Sequence, residues 1–175
     1  MYSAVPALPP GVPAGYPGVP YLPWVKVDYK LPAFELADLE GRMWTNKDFD
    51  GKATIVYLWA SWCAPCWQNL GTIQTLSERV KARRDVQVVT LSVDEDRGKL
   101  TGFMKQKGYT FPVLANKAYV QKALPVFVLG QLWIVDGSGS VRLQRTSNPN
   151  FRGPDATTEE LLYKAGQFAS KADRP

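Results

Sequence analysis

The chain has 175 residues, of which 45% are hydrophobic and 21% charged, with a net charge of +5, two cysteines and no histidine. That length supports about one domain with a real core, and lysine and arginine are too dispersed for a nucleic-acid-binding face. No apolar run approaches the ~18–20 residues needed to cross a bilayer, and no imidazole is available for acid–base or metal chemistry.

The first 25 residues, MYSAVPALPPGVPAGYPGVPYLPWV, carry no charged side chain and a proline every few positions. Each proline removes an amide donor and fixes φ, which excludes helix and central strand. Residues 1–30 therefore read as an extended arm or linker, partly polyproline II, whose Tyr16, Tyr21, Leu22 and Trp24 are placed to pack on the domain or on a partner. The N-terminus has no basic start and its apolar runs are broken, so it does not read as a signal peptide. A cytoplasmic chain and a chain whose leader has been removed both fit.

From Leu31 to the C-terminus the pattern is globular. FEL and LEGRMWT predict two short strands around a Glu-Gly turn. ATIVYLWA is a continuous apolar run rich in β-branched residues, as a strand buried on both faces requires. Leu70, Ile73, Leu76 and Val80 recur at helical spacing. VQVVTLSVD predicts a second inner strand, and Leu100, Phe103 and Met104 predict a helix ending near Gly108. TFPVLA is short and extended, and KAYVQKAL suits one or two helical turns. LWIVDGSGSVRLQR reads as strand, tight turn, strand, and Thr157 with Glu160 predicts a capped final helix. This alternation implies an α/β fold, a sheet with helices on both faces.

The two cysteines stand in WASWCAPCWQN, as Cys63 and Cys66 with Ala64 and Pro65 between them. Placed at the end of the central strand and one turn into the next helix, the sulfurs can meet. Pro65 falls in the first turn, where its missing amide costs nothing. Helix amides and dipole then favour the Cys63 thiolate, and such motifs show thiol pKa values of about 3.5–7.5. Cys63 would attack a disulfide and the deeper Cys66 would resolve the mixed disulfide. Zinc would need two more Cys or His ligands, which the chain lacks. Covalent haem would need a histidine where Trp67 stands. A pair of inert structural thiols stays open as an alternative.

The block FELADLEGRMWTNKDFDGKATIVYLWASWCAPCW, continued by VVTLSVDED and WIVDGSGSV, resembles the TlpA/ResA-like thiol–disulfide oxidoreductases of the thioredoxin superfamily, over about residues 31–170. The resemblance implies a thioredoxin-like fold: a central mixed β-sheet flanked by helices, with an N-terminal β-hairpin and a helix-plus-strand insertion at about 97–124. It implies Cys63 as nucleophile, Cys66 as resolving thiol, and Trp62 on the rim where substrate docks, with Ala64 and Pro65 shaping the motif and Trp59 in the core. An extended peptide would lie across Trp62 and the loop Leu129, Gly130 and Gln131. Partners would be protein thiols and disulfides and a partner dithiol as electron donor, with no cofactor and no metal. The family leans toward reduction of extracytoplasmic disulfides, which points to the periplasm.

Four positions depart from that pattern. Gly130 stands where the family has a cis-proline facing the cysteines, and Pro125 lies five residues too early to replace it. Asn69 stands for a glutamate, Gly71 for a helix-kinking proline, and Tyr57 for the buried aspartate of thioredoxin. These departures keep alive a second reading, a thioredoxin-fold binding or scaffold domain with a structural or vestigial disulfide. Peroxidase chemistry is a weaker third, since no P-x-x-x-T-x-x-C block surrounds Cys63.

Overall fold

The structure, a computed structural model, describes residues 23–124, 127–147 and 156–169. Tyr16, Tyr21, Leu22 and Pro125, singled out above, lie outside the described residues. In chain order the strands are β1 (Val25–Lys30), β2 (Glu35–Ala37), β3 (Met43–Thr45), β4 (Ala53–Trp59), β5 (Val86–Ser92), β6 (Val113–Ala115), β7 (Gln131–Val135) and β8 (Ser140–Thr146). The helices are α1 (Trp67–Val80), α2 (Arg97–Lys107), α3 (Lys117–Ala123) and α4 (Thr158–Gly166).

Six strands form one mixed sheet in the order β1-β8-β7-β4-β5-β6, and β2 and β3 form a separate hairpin. β4 runs parallel to β5 and antiparallel to β7. Sitting between them, it is buried at every residue, which explains why its sequence is apolar at every position but Thr54 instead of alternating. Its period of two divides the core. Ala53, Ile55, Tyr57 and Trp59 pack with Leu70, Ile73, Leu76 and Val80 of α1 and with Leu161 and Ala165 of α4. Val56 and Leu58 face Trp44 of the hairpin and Tyr119 and Val120 of α3 on the other side.

Local signals set the ends of these elements. Asp96 caps α2 through the Lys99 amide, and Gly108 stops it in the left-handed region at φ 70°. Asn116 caps α3 and Thr157 caps α4, the latter by accepting from the Glu160 amide. The insertion contains a helix, a strand and a second helix: α2, β6 on the sheet edge, and α3.

Residues 25–30, grouped above with the arm, instead form the edge strand β1 on β8. VKVDYK contains no proline, so its amides are free to join a ladder, and its pairing partner lies more than a hundred residues away in sequence. The approach to β1 is anchored too. The Trp24 indole donates to Glu160 at 2.9 Å and lies 4.6 Å beneath the guanidinium of Arg145, which is itself buried and paired with Glu160 at 2.8 Å.

Candidate active site

β4 ends at Trp59, and the chain then turns through Ala60–Cys63 into a single 3-10 turn, Ala64–Cys66, before α1 begins at Trp67. Cys66 thus sits in a tighter turn than the α-helical one expected. Pro65 has no amide to donate, and the Cys66 amide bonds the Cys63 carbonyl at 3.0 Å, an i to i+3 closure. The two cysteines are joined as a disulfide with their Cα atoms 5.4 Å apart. Cys66 is 1% exposed, whereas Cys63 is half-buried and Ala64 and Pro65 are exposed. Of the two cysteines, Cys63 is therefore the more open to the outside.

A carboxylate from the neighbouring strand holds the turn. Asp94, just beyond β5, accepts from the Ser61 amide at 2.8 Å and the Ser61 hydroxyl at 2.6 Å, and from Ser92 at 2.7 Å. Because β4 and β5 are parallel and in register at Trp59 and Ser92, their C-terminal ends lie side by side and Asp94 bridges them. Trp67 folds back over the same turn, its indole donating to the Ser61 carbonyl at 3.0 Å. Two large aromatic residues consequently stand outside near the sulfurs: Trp62, 66% exposed, and Trp67, 42% exposed. Trp59 is fully buried between Phe103 and Phe111.

The inner side of the pair is a closed polar chain. The Tyr57 hydroxyl donates to the Cys66 carbonyl at 3.0 Å. Asn69, 1% exposed, donates to the Ser147 hydroxyl at 3.0 Å and more weakly to the Tyr57 oxygen at 3.5 Å. Ser147 in turn donates to the Gly130 carbonyl at 2.7 Å. No carboxylate takes part in these bonds. Asn69 of α1 and Ser147, directly after β8, meet across a separation of 78 residues.

Gly130 sits at φ +85°, directly before β7. A Cβ there would stand 4.0 Å from the Cys66 sulfur and 3.1 Å from Ser147, so the glycine does face the cysteine pair. Its amide donates to Leu58 at 2.8 Å, and its carbonyl accepts from both the amide and the hydroxyl of Ser147. These backbone groups are spent inside the protein. Gln131 is buried and its side chain is held by Trp133 and Thr146. Of the three loop residues expected to meet substrate, only Leu129 is half-exposed. Gly71 lies on the exposed side of α1, where a Cβ would meet nothing, and the helix runs past it without a break. The sequence reading missed Asp94 and Trp67. The Ser-x-Asp run that closes an apolar strand was the available clue to the first.

A mixed sheet flanked by helices, with a disulfide closing the turn between its central strand and α1, defines a thioredoxin-like thiol–disulfide oxidoreductase. Comparison with known proteins agrees. A family model described as the AhpC/TSA family matches residues 27–144, and the chain belongs to that family. The thiol-disulfide oxidoreductase ResA of Bacillus thuringiensis subsp. konkukian is 30% identical over 118 residues, 67% of this chain and 68% of its own length. The thiol:disulfide interchange protein DsbE of Vibrio cholerae is 24% identical over 144 residues, 80% of this chain and 76% of its own. Among solved structures, a secreted thiol-disulfide isomerase from Corynebacterium glutamicum superposes with a TM-score of 0.67 at 18% identity, covering 81% of this chain and 89% of the other. StoA from Bacillus subtilis does so at 0.64 and 21%, covering 76% and 96%. These two structural likenesses speak to the fold.

Proposed function

We propose that Cys63 is the attacking thiol and Cys66 the resolving thiol of a reaction that reduces disulfides in partner proteins. The observation that carries this reading is the unequal burial of two disulfide-bonded cysteines at the carboxyl end of the central strand. In the reduced protein the Cys63 thiolate attacks one sulfur of a partner disulfide. The partner's other sulfur leaves as a thiolate and takes a proton. Cys66 then loses its proton and attacks Cys63, and the partner's second sulfur departs as a thiol. The chain ends as the Cys63–Cys66 disulfide, and a partner dithiol must return two electrons and two protons. Reduction is the direction we assign, following the TlpA/ResA-like active-site block.

Trp62 and Leu129 are the rim residues offered to the partner polypeptide, with Ala64 and Pro65 shaping the loop between the sulfurs. Gly130 and Gln131 support that rim from beneath. The domain that does this chemistry extends from β1 through α4. We place the protein outside the cytoplasm, following the lean of the TlpA/ResA-like pattern toward extracytoplasmic disulfides. Among the described residues no helix is long and apolar enough to cross a membrane.

Trapping tests the assignment. Cys66→Ser should accumulate a mixed disulfide with a reducible protein such as insulin, Cys63→Ser should trap nothing, and both should lose turnover. Reduced Cys63 should alkylate well below pH 8. The spent backbone of Gly130 favours a second reading, a binding domain with an inert disulfide. Failure of Cys66→Ser to trap any protein, with the fold intact, would select it.

A further inference from the structure

Resting on the exchange reaction above, we infer that the substrate carries acidic residues beside its reactive cysteine, and that Trp67, Phe103 and Lys107 form the surface that reads them. Disulfide exchange requires a partner chain to lie against Cys63, so the surface around that sulfur must be covered during turnover. On the side facing α2 the surface is aromatic and basic. The Trp67 indole is pinned to the Ser61 carbonyl, two residues before Cys63, and Phe103 of α2 packs on it with ring centroids 5.8 Å apart. Lys107, one turn further along α2, hangs its ammonium 5.6 Å from the Trp67 ring and 6.0 Å from Phe103.

These parts suit recognition for physical reasons. An indole already held by a hydrogen bond loses little freedom on binding, and aromatic anchors of this kind dominate interface energetics. The acidic run Asp94–Asp96 lies before α2, with Asp94 held by Ser61 and Ser92, Glu95 by Lys117 and Asp96 by Lys99, whereas the charge carried on α2 itself has one sign. α2, RGKLTGFMKQK, holds four cations and no carboxylate. Arg97 and Lys99 near its start are engaged with the Asp38 carbonyl and with Asp96. Lys105 and Lys107, at the end beside Trp67, are exposed and have no carboxylate within ion-pair distance among the described residues. An acidic side chain laid over Trp67 would meet an unneutralised cation, whereas a basic one would be repelled. Trp67 directly follows the second cysteine, so the preference acts on residues adjoining the scissile bond of the substrate.

Two cystine peptides of equal length, one flanked by Asp and Glu and the other by Lys, would test this against the reduced full-length chain, together with a neutral small disulfide. The expected kcat/KM ratio favours the acidic peptide about tenfold at low ionic strength and shrinks in high salt. Lys107→Glu should invert the ratio or bring it near one, and Trp67→Ala should lower kcat/KM for the acidic peptide about fivefold or more. Lys81→Glu makes the same charge change at the far end of α1 and should leave the ratio as in the wild type. A chain that reduces the small disulfide but treats both peptides alike, or a ratio that Lys107→Glu does not move, overturns the inference alone. A chain inert toward all three disulfides overturns the oxidoreductase reading and this inference with it.

Discussion

The two sides of the Cys63–Cys66 bond are built from opposite materials. Outside stand Trp62, Trp67 and Phe103, aromatic and partly open to water. Inside, Tyr57, Asn69, Ser147 and Gly130 are buried and joined by hydrogen bonds. The outer side has contact surface left over, and the inner side has no polar group to spare at Gly130. The difference separates two tasks. Residues on the outer side should govern which partner reacts, and residues on the inner side should govern stability and the setting of Cys66. A buried polar chain is costly to interrupt because each orphaned group loses both water and its partner, whereas exposed aromatics can be cut with little structural consequence.

The sharpest way to break this comparison is Gly130→Pro, which introduces the residue that the TlpA/ResA-like pattern leads one to expect there. Proline requires φ near −65° and has no amide, yet Gly130 sits at +85° and donates to Leu58. The substitution should destabilise by about 3 kcal/mol or more in denaturant unfolding. If it is neutral, the inner side is far more plastic than its hydrogen bonds imply.

Ser147→Ala comes next. It leaves Asn69 without its acceptor at 3.0 Å and removes one of two donors to the Gly130 carbonyl. A loss of about 1–3 kcal/mol is expected, measurable from the urea midpoint at unchanged m-value.

The far end of β7 provides a reference away from the sulfurs. Burial works against ionisation of Asp136, but hydrogen bonds from Ser138, Arg142 and the Ser138 and Ser140 amides outweigh it and hold the carboxyl at about 2. Its folded value lies below the unfolded value of about 3.9. The stabilisation is therefore complete above about pH 4 and is lost as pH falls through about 2. Asp136→Asn should cost about 1–2 kcal/mol at pH 7, and the gap from wild type should narrow below about pH 4 and close only below about pH 2. A gap that persists in acid would mean that packing, not charge, secures this turn.

Trp62→Ala should have the smallest effect on stability, within about 0.5 kcal/mol. It should nonetheless raise KM for a protein disulfide about fivefold, with less change for a small-molecule disulfide. A large drop in melting temperature would contradict the division of labour between the two sides.

Much of this molecule was legible along the chain because its causes are local. A run apolar at all but Thr54 announced β4. The three- and four-residue steps of Leu70, Ile73, Leu76 and Val80 drew the inner face of α1, and Gly108 and Thr157 marked helix ends through backbone conformation and a side-chain cap. The two cysteines were legible for the same reason, since a three-residue separation brings sulfurs together without help from the rest of the fold.

Tertiary structure decided what surrounds those sulfurs. Asp94 reaches Ser61 across 33 residues and Ser147 reaches Asn69 across 78, because parallel strand ends and a packed helix make neighbours of distant positions. β1 joined the sheet for the same reason: an edge strand is defined by its partner, and β8 lies at the other end of the chain. Which sulfur is shielded, and which backbone groups at Gly130 are already spent, depend on burial and on pairing across the sheet. Neither can be written into a short stretch of residues, because both are properties of what the folded chain places next to them.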